Sequence, residues 1–179
     1  MNEPTRFRAI RLGAVLLVLV CTVGCDQATK HFARTGLSQL APQALPGGFV
    51  ELTLAENPGA FLSLGATLPA SIRGAPLTLA VGLGLAILLA YLLGGARLRR
   101  LSFLGLTLIL AGGTSNLVDR LARRGLVTDF MVIRAGPFHT GIFNGADLAI
   151  VVGALMLVLS LRGISRKGEA RGSEKDSST

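Results

Sequence analysis

The hydrophobic residues of this chain fall into four long runs separated by polar segments. Ala75 to Leu93 and Leu101 to Val118 contain no charged residue, and each approaches the roughly 20 apolar residues a membrane span needs. Gly82, Gly84 and Gly105 inside them are compatible with helix, since glycine is common in membrane helices. Leu12 to Cys25 and Leu148 to Leu161 are shorter. Each reaches spanning length only if a polar end is included, Asp26 in the first case and Asn144 with Asp147 in the second. Between the runs the period changes. Phe49, Glu51 and Thr53 alternate with Val50, Leu52 and Leu54, flanked by the turn formers Pro46, Gly47, Gly48, Pro58 and Gly59, and "GLVTDFMVIR" is rich in strand formers. Alternation bounded by Pro and Gly predicts short strands.

The pattern therefore predicts an all-α membrane bundle of four transmembrane helices with a small extracytoplasmic β-sheet on its outer, membrane-facing side. Helices are expected at about 10–29, 74–94, 100–119 and 143–162, with 31–73 and 120–142 outside and 1–161 forming one integral-membrane domain. The stretch 162–179, basic and then rich in Ser, Lys, Glu and Gly, reads as a disordered cytoplasmic tail. The short loop "GGARLRR" carries Arg97, Arg99 and Arg100. With Arg6, Arg8, Arg11 and the basic tail it puts both termini inside by the positive-inside rule.

Composition supports the membrane class. Half the residues are hydrophobic and only 16% are charged, so a net charge of +8 describes basic loops around apolar spans rather than the basic stripes of a nucleic-acid binder. Cys21 and Cys25 are the only cysteines and His31 and His139 the only histidines, which gives no disulfide framework, no zinc site and no other metal cluster. No GxSxG elbow is present. "VCTVGC" ahead of Asp26 could be a lipoprotein cleavage box, but Thr22 stands where that box wants leucine. Asp26 to Lys30 reads better as the outer end of the first helix.

At 1.5 Å per helical residue, Asp26 lies about 21 Å beyond Leu12 and Asn116 about 22 Å beyond Leu101, while Asp147 opens the fourth run from the same side. Asp26, Lys30, Asn116, Asp119, Arg120, Asn144 and Asp147 are thus expected at one depth near the outer boundary, with Asp129 on the adjoining loop. The spacings Asp26–Lys30, Asn116–Asp119, Asn116–Arg120 and Asn144–Asp147 each place two residues on one helix face. Ionisable groups at membrane depth face inward and mark a site. With no Ser–His pair and no metal cluster, the chemistry available is that of paired carboxylates sharing a proton, one activating water while the other stays protonated. Ion pairing that locks a helix end accounts for Asp119 beside Arg120, and for Asp26 near Lys30, as well as catalysis does. Asp147 has no basic neighbour and is the stronger candidate for chemistry. From spacing alone, Asp129 reads as a surface strand residue. A cation channel using Asp26, Asp119 and Asp147 is the other class considered, but the middle of the spans is apolar where a conduction path needs polar lining.

These residues also carry a resemblance. "DQATK", "ENPGAFLSLG", "GGTSNLVDR", "VTDF" and "FNGADLAI" occur in the order found in lipoprotein signal peptidases, the signal peptidase II family, over about residues 10 to 161. The resemblance implies a bacterial inner-membrane aspartyl endopeptidase without cofactor. Its partners would be membrane phospholipids and lipid-modified prolipoproteins, cut just before the diacylglyceryl-modified cysteine. It assigns the catalytic pair to Asp129 and Asp147 and supporting roles to Asp26, Lys30, Asn57, Asn116, Asp119, Arg120 and Asn144, with Asn57 and Arg120 toward the substrate. Two departures stand out. Ser115 occupies a position usually held by glycine, which implies loose packing there, and Phe61 and Leu62 alter the stretch after Asn57.

Overall fold

The computed structural model describes residues 3–37, 41–59, 74–94 and 98–176, and side chains from Arg6 to Arg162 within them. Four helices, α1 (Glu3–Gly36), α2 (Ala75–Leu93), α3 (Arg100–Ala122) and α4 (Gly145–Asp176), alternate with four strands, β1 (Gln43–Ala44), β2 (Val50–Asn57), β3 (Val127–Ala135) and β4 (Phe138–His139). All four helices are long and apolar enough to cross a membrane. Their exposed faces are studded with large apolar residues, among them Leu17 and Val20 on α1, Leu79 and Leu83 on α2, and Leu155 and Leu159 on α4. A surface of that kind belongs against lipid.

α3 is the hub. It packs against α4, α1 and α2, while α1 and α2 barely meet. Val15, Leu92 and Leu110 form the small buried core where α1, α2 and α3 converge. Small residues let α3 and α4 approach backbone to backbone. A Cβ added at Gly105 would stand 2.6 Å from the Gly153 carbonyl oxygen, and one at Gly153 2.5 Å from that of Gly105. Two turns further on, Gly112 lies against the carbonyl of Ala146. These pairs repeat every two turns, Gly105 to Gly112 and Ala146 to Gly153, so one small-residue seam runs the length of the contact.

α1 is longer than the apolar pattern predicts. It stays helical through Asp26, Lys30 and Arg34 to Gly36, because these polar groups find partners inside the protein and no breaker intervenes. α4 likewise continues to Asp176, beyond Arg162 where a disordered tail was expected. Arg166, Lys167, Glu169, Ala170, Arg171 and Lys175 are good helix formers and no proline interrupts them. α3 ends at "RRG". Arg124 (φ 55°) and Gly125 (φ 92°) take left-handed backbone, and Gly125 N–H closes on the Arg120 carbonyl at 2.8 Å, turning the chain into β3.

The two expected strands, β2 and β3, form one antiparallel sheet with two short strands the pattern did not show, in the order β1-β2-β3-β4. Between β2 and β3 the register shifts between Leu52 and Ala55, after which Ala55 faces Asp129 and Asn57 faces Val127. β2 is half-buried nearly throughout rather than clean-faced, and β3 is buried from Val127 to Phe130 and exposed from Ile133 on. Residues 60–73, which include Phe61 and Leu62, and 95–97, which include Arg97, lie outside the described residues.

Gly112→Ala should force α3 and α4 apart and destabilise the protein by about 1–3 kcal/mol. Gly82→Ala, where the new methyl meets only Leu117 at an ordinary 3.8 Å, should be near neutral. Unfolding of both variants in mixed micelles checks this.

Candidate active site

The first turn of α4 organises the site. Asn144 precedes the helix as its N-cap, and its side-chain Oδ1 accepts the Asp147 N–H at 2.9 Å, while Asp147 Oδ2 faces the Asn144 N–H at 3.4 Å. This is a capping box with aspartate at its far end. The residue between them, Ala146, donates its N–H to Asp26 Oδ1 of α1 at 2.8 Å. A carboxylate from another helix thus sits at the positive end of α4, where the macrodipole favours it. Phe143, just upstream, is strapped to β3 by paired backbone hydrogen bonds with Met131 of 2.9 Å each. That strap brings β3 and its Asp129 to the mouth of α4.

Asp129 and Asp147 are both buried and joined through amides. Asn57 Nδ2 donates to Asp129 Oδ2 at 2.9 Å, and Asn144 Nδ2 to Asp129 Oδ1 at 2.6 Å. Asn116 Nδ2 donates to Asp147 Oδ1 at 3.0 Å, and its Oδ1 lies 3.3 Å from Asn144 Nδ2. Asn57 comes from the strand opposite Asp129, one diagonal position away, a separation that long side chains bridge. Burial pushes the Asp129 carboxyl up to about 6, the charge of Asp147 adds to this, and the hydrogen bonds from Asn57 and Asn144 and the charge of Lys30 oppose it.

Behind the pair lies a fully buried lysine. Lys30 Nζ contacts Asp26 Oδ2 at 2.7 Å, Asp119 Oδ2 at 3.1 Å and Asn116 Oδ1 at 2.9 Å. Asp119 also accepts the Thr128 N–H at 3.0 Å and Gln27 Nε2 at 3.1 Å. Arg120 points elsewhere: its Nη2 donates to the Gly59 carbonyl at 2.6 Å and its Nη1 to the Asn116 carbonyl at 3.1 Å. Asn57 Oδ1 accepts the Gly59 N–H at 2.8 Å. Asn57 and Arg120 therefore fix the Pro58–Gly59 turn from both sides, next to Asp129. An apolar cavity of ≈ 440 Å³, lined by Ile133, Phe143, Leu148 and Val151 among others, opens onto Asp147.

All nine expected site residues, Asp26, Lys30, Asn57, Asn116, Asp119, Arg120, Asp129, Asn144 and Asp147, are buried and lie in this one network. Two expectations need correction. Asp119 does not pair with Arg120; its cations are Lys30 at 3.1 Å and, further off, Arg34 at 4.0 Å. Nor is the helix loose at Ser115, which is fully buried, with its hydroxyl donating to Asp26 Oδ2 at 2.7 Å and accepting from Gln27 at 3.0 Å. Gln27 belongs to the polar end expected of the first helix, but two further participants, Thr128 and Arg34, which meet at 3.1 Å, were not singled out in the sequence. Arg34 had a signal, since it lies four residues after Lys30 on the same helix face; Thr128 had none. Among the described residues, no group of three or more His, Cys, Asp or Glu is placed to hold a metal ion.

The chain is similar to proteins of a known family. A family model described as "Signal peptidase (SPase) II" matches residues 17–162. The lipoprotein signal peptidase of Syntrophus aciditrophicus is 33% identical over 161 residues, 90% of this chain and 95% of the relative. That of Burkholderia thailandensis is 38% identical over 152 residues, 82% and 84% of the two chains. A solved structure described as "Bacterial membrane enzyme structure by the in meso method at 2.3 A resolution" shares the fold, with a TM-score of 0.73 at 23% identity over 86% of this chain and 90% of that one.

The Lys30 partnership is testable by double-mutant cycles. Asp119→Asn with Lys30→Met should show a coupling of about 1–3 kcal/mol, while Asp119→Asn with Arg120→Gln should be additive within about 0.5 kcal/mol. Mixed-micelle unfolding of the five variants and the unaltered protein is the measurement.

Proposed function

Because the chain belongs to the signal peptidase II family, we propose that it is an aspartyl endopeptidase that removes signal peptides from prolipoproteins just before the diacylglyceryl-modified cysteine. Membership of the family makes it a peptidase and a multi-pass membrane protein of lipoprotein processing. The observation that supports the aspartyl mechanism is the buried pair Asp129 and Asp147, amide-held at the end of an apolar cavity.

In this mechanism the two carboxylates share one proton. The ionised member takes a proton from water, whose oxygen attacks the scissile carbonyl carbon. The protonated member donates its proton to the carbonyl oxygen. Collapse of the tetrahedral adduct breaks the C–N bond; the leaving amine takes the proton gained from water, and a hydroxyl of the adduct returns a proton to the other carboxylate, restoring the shared-proton pair. Asn57 and Asn144 hold Asp129, and Asn116 holds Asp147. Arg120 and Asn57 present the Gly59 turn to the substrate backbone. Asp26, Lys30 and Asp119 fix α1, α3 and α4 around them. No cofactor takes part.

The proposed setting is the bacterial inner membrane, with both termini cytoplasmic and the sheet and carboxylates at the outer face, among phospholipids. The basic residues Arg6, Arg8, Arg11, Arg99 and Arg100 support this orientation. The substrate then lies with its acyl chains in the bilayer, where each buried CH₂ contributes about 0.8 kcal/mol.

Asp129→Asn or Asp147→Asn should abolish single-turnover cleavage of a lipidated prolipoprotein, and the double variant should be no worse than either single one, since residues acting as a unit are not additive. The unlipidated precursor should be cut far more slowly by the unaltered enzyme. Near-normal cleavage by Asp129→Asn would leave Asp147 without this partner, and equal turnover of the two precursors would remove the lipid from recognition.

The pH dependence has a definite sign. The folded state holds the Asp129 proton up to about 6, against an ordinary 3.8. Between these values the folded chain binds more protons than the unfolded one, so this group's contribution is fully present below the lower value and is lost as pH rises through the upper. Asp129→Asn removes the effect. Its stability relative to the unaltered protein should therefore rise from about pH 4 to pH 6–7, by at most about 3 kcal/mol, and then level off. Turnover should fall as pH rises above about 6, where the shared proton is lost. Melting curves and kcat/KM across pH check both, and a flat stability difference would contradict the buried-acid account.

A further inference from the structure

At the opposite end of the bundle from the carboxylates sits another buried cation, Arg11. Fifteen residues separate it from Asp26 along α1, about 22 Å of helix. Arg11 is only 8% exposed, and its guanidinium carbon lies 4.5 Å from the ring centre of Phe7 and 5.1 Å from that of Phe103. Aromatic rings engage a guanidinium through its faces. Its N–H donors lie in the plane and need acceptors of their own. Among the described residues none accepts from Arg11, and its Nη1 is buried without a partner.

The neighbouring helix end has the same deficit. Phe103 lies in the first turn of α3, whose N-cap is Arg99. No side chain caps this end and no acidic residue lies in its first turn. The first helical hydrogen bond runs from the Phe103 N–H to the Arg99 carbonyl at 2.9 Å, so the N–H groups before it lack helical acceptors. Arg99 itself turns away and donates to the Ser160 carbonyl of α4 at 2.6 Å. Charge at this end is one-sided: Arg6, Arg8, Arg11, Arg99, Arg100 and Arg162 are here, and the sequence has no acidic residue between Glu3 and Asp26, between Ala75 and Val118, or between Leu148 and Gly168.

We propose that the junction of α1 with the start of α3 binds the phosphate of an anionic phospholipid head group, held by the in-plane donors of Arg11 and the uncapped N-terminus of α3. A phosphate diester supplies the acceptors that Arg11 lacks, in the fork geometry a guanidinium matches, and helix N-termini take phosphate directly. A lipid is the source because the site lies at the end of apolar spans, where Phe7 and the exposed Ile10 and Leu12 of α1 offer an apolar surface for acyl chains. The site is remote from the carboxylates and does not depend on the proposed peptidase mechanism.

The test compares the full-length protein in nanodiscs of phosphatidylcholine alone and of phosphatidylcholine mixed with phosphatidylglycerol, with thermal melting as the readout. The unaltered protein should gain about 3 °C or more from phosphatidylglycerol. Arg11→Gln should lose most of that gain. Arg8→Gln, which removes the same charge from an exposed side chain, should keep it. If Arg11→Gln does not fold, Arg11→Lys keeps the charge without the fork and should keep less than half the gain. Native mass spectrometry should show a retained phosphatidylglycerol adduct that Arg11→Gln or Arg11→Lys lacks. Equal losses in the Arg8 and Arg11 variants would reduce the effect to diffuse attraction and overturn the site, as would no gain from phosphatidylglycerol. An equal gain from inorganic phosphate in lipid-free detergent would overturn the lipid as its source.

Discussion

The structure turns on the burial of one ammonium group. Lys30 is fully enclosed, and a buried charge is tolerated only when paired and hydrogen-bonded. Its partners are Asp26, Asp119 and Asn116, and each uses its remaining capacity on α4 or β3. Asp26 binds the Ala146 N–H at the start of α4, Asp119 binds the Thr128 N–H at the start of β3, and Asn116 donates to Asp147. Removing Lys30 would leave two carboxylates facing each other in an apolar bundle, and removing any one partner would leave buried polar groups unpaired. The position of α1 is therefore fixed relative to α3, β3 and α4 at the level where the two carboxylates stand.

The glycine seam between α3 and α4 serves the same end. Gly112 lies against Ala146. Asn116 is one turn beyond Gly112, and Asp147 directly follows Ala146. Only helices in backbone contact bring an asparagine and an aspartate so placed within the 3.0 Å hydrogen bond that joins them. The register shift in β2 has a comparable effect on the other carboxylate, since it sets Ala55 opposite Asp129 and lets Asn57 reach across. Packing along the spans and irregularity in the sheet thus converge on one pair.

Much of this was legible in the sequence. Uncharged runs, period-two stretches and i, i+3 or i, i+4 polar pairs are local patterns, and local patterns report helices, strands and shared faces. The Asn144–Asp147 spacing reports a shared helix face, and the capping box it forms shows only in the structure. Partnership was less legible. Asp119 and Arg120 are neighbours in sequence, but consecutive helical residues point about 100° apart. Asp119 accordingly faces Lys30 of α1 while Arg120 faces the Gly59 turn. Ser115 looked like a bulky intruder at a glycine position because the carboxylate that accepts its hydroxyl, on Asp26, is 89 residues away. Asp129 in isolation was a polar residue in a strand; only the Phe143–Met131 strap brings it to α4. α1 outran its apolar run because the end point of a membrane helix depends on whether its polar residues find partners, which the run itself does not record.

The choice of amides around the carboxylates follows from the task proposed for them. Asn57, Asn116 and Asn144 orient Asp129 and Asp147 by neutral hydrogen bonds. An arginine or lysine in direct contact would favour ionisation of both acids and drive out the shared proton. Lys30 meets the pair across Asn116, and its charge is answered first by Asp26 and Asp119. Arg120 is aimed at a backbone carbonyl and not at either acid. Burial is then free to raise the Asp129 carboxyl toward neutrality, which is the condition for an acid and a base of the same residue type to act together at cellular pH.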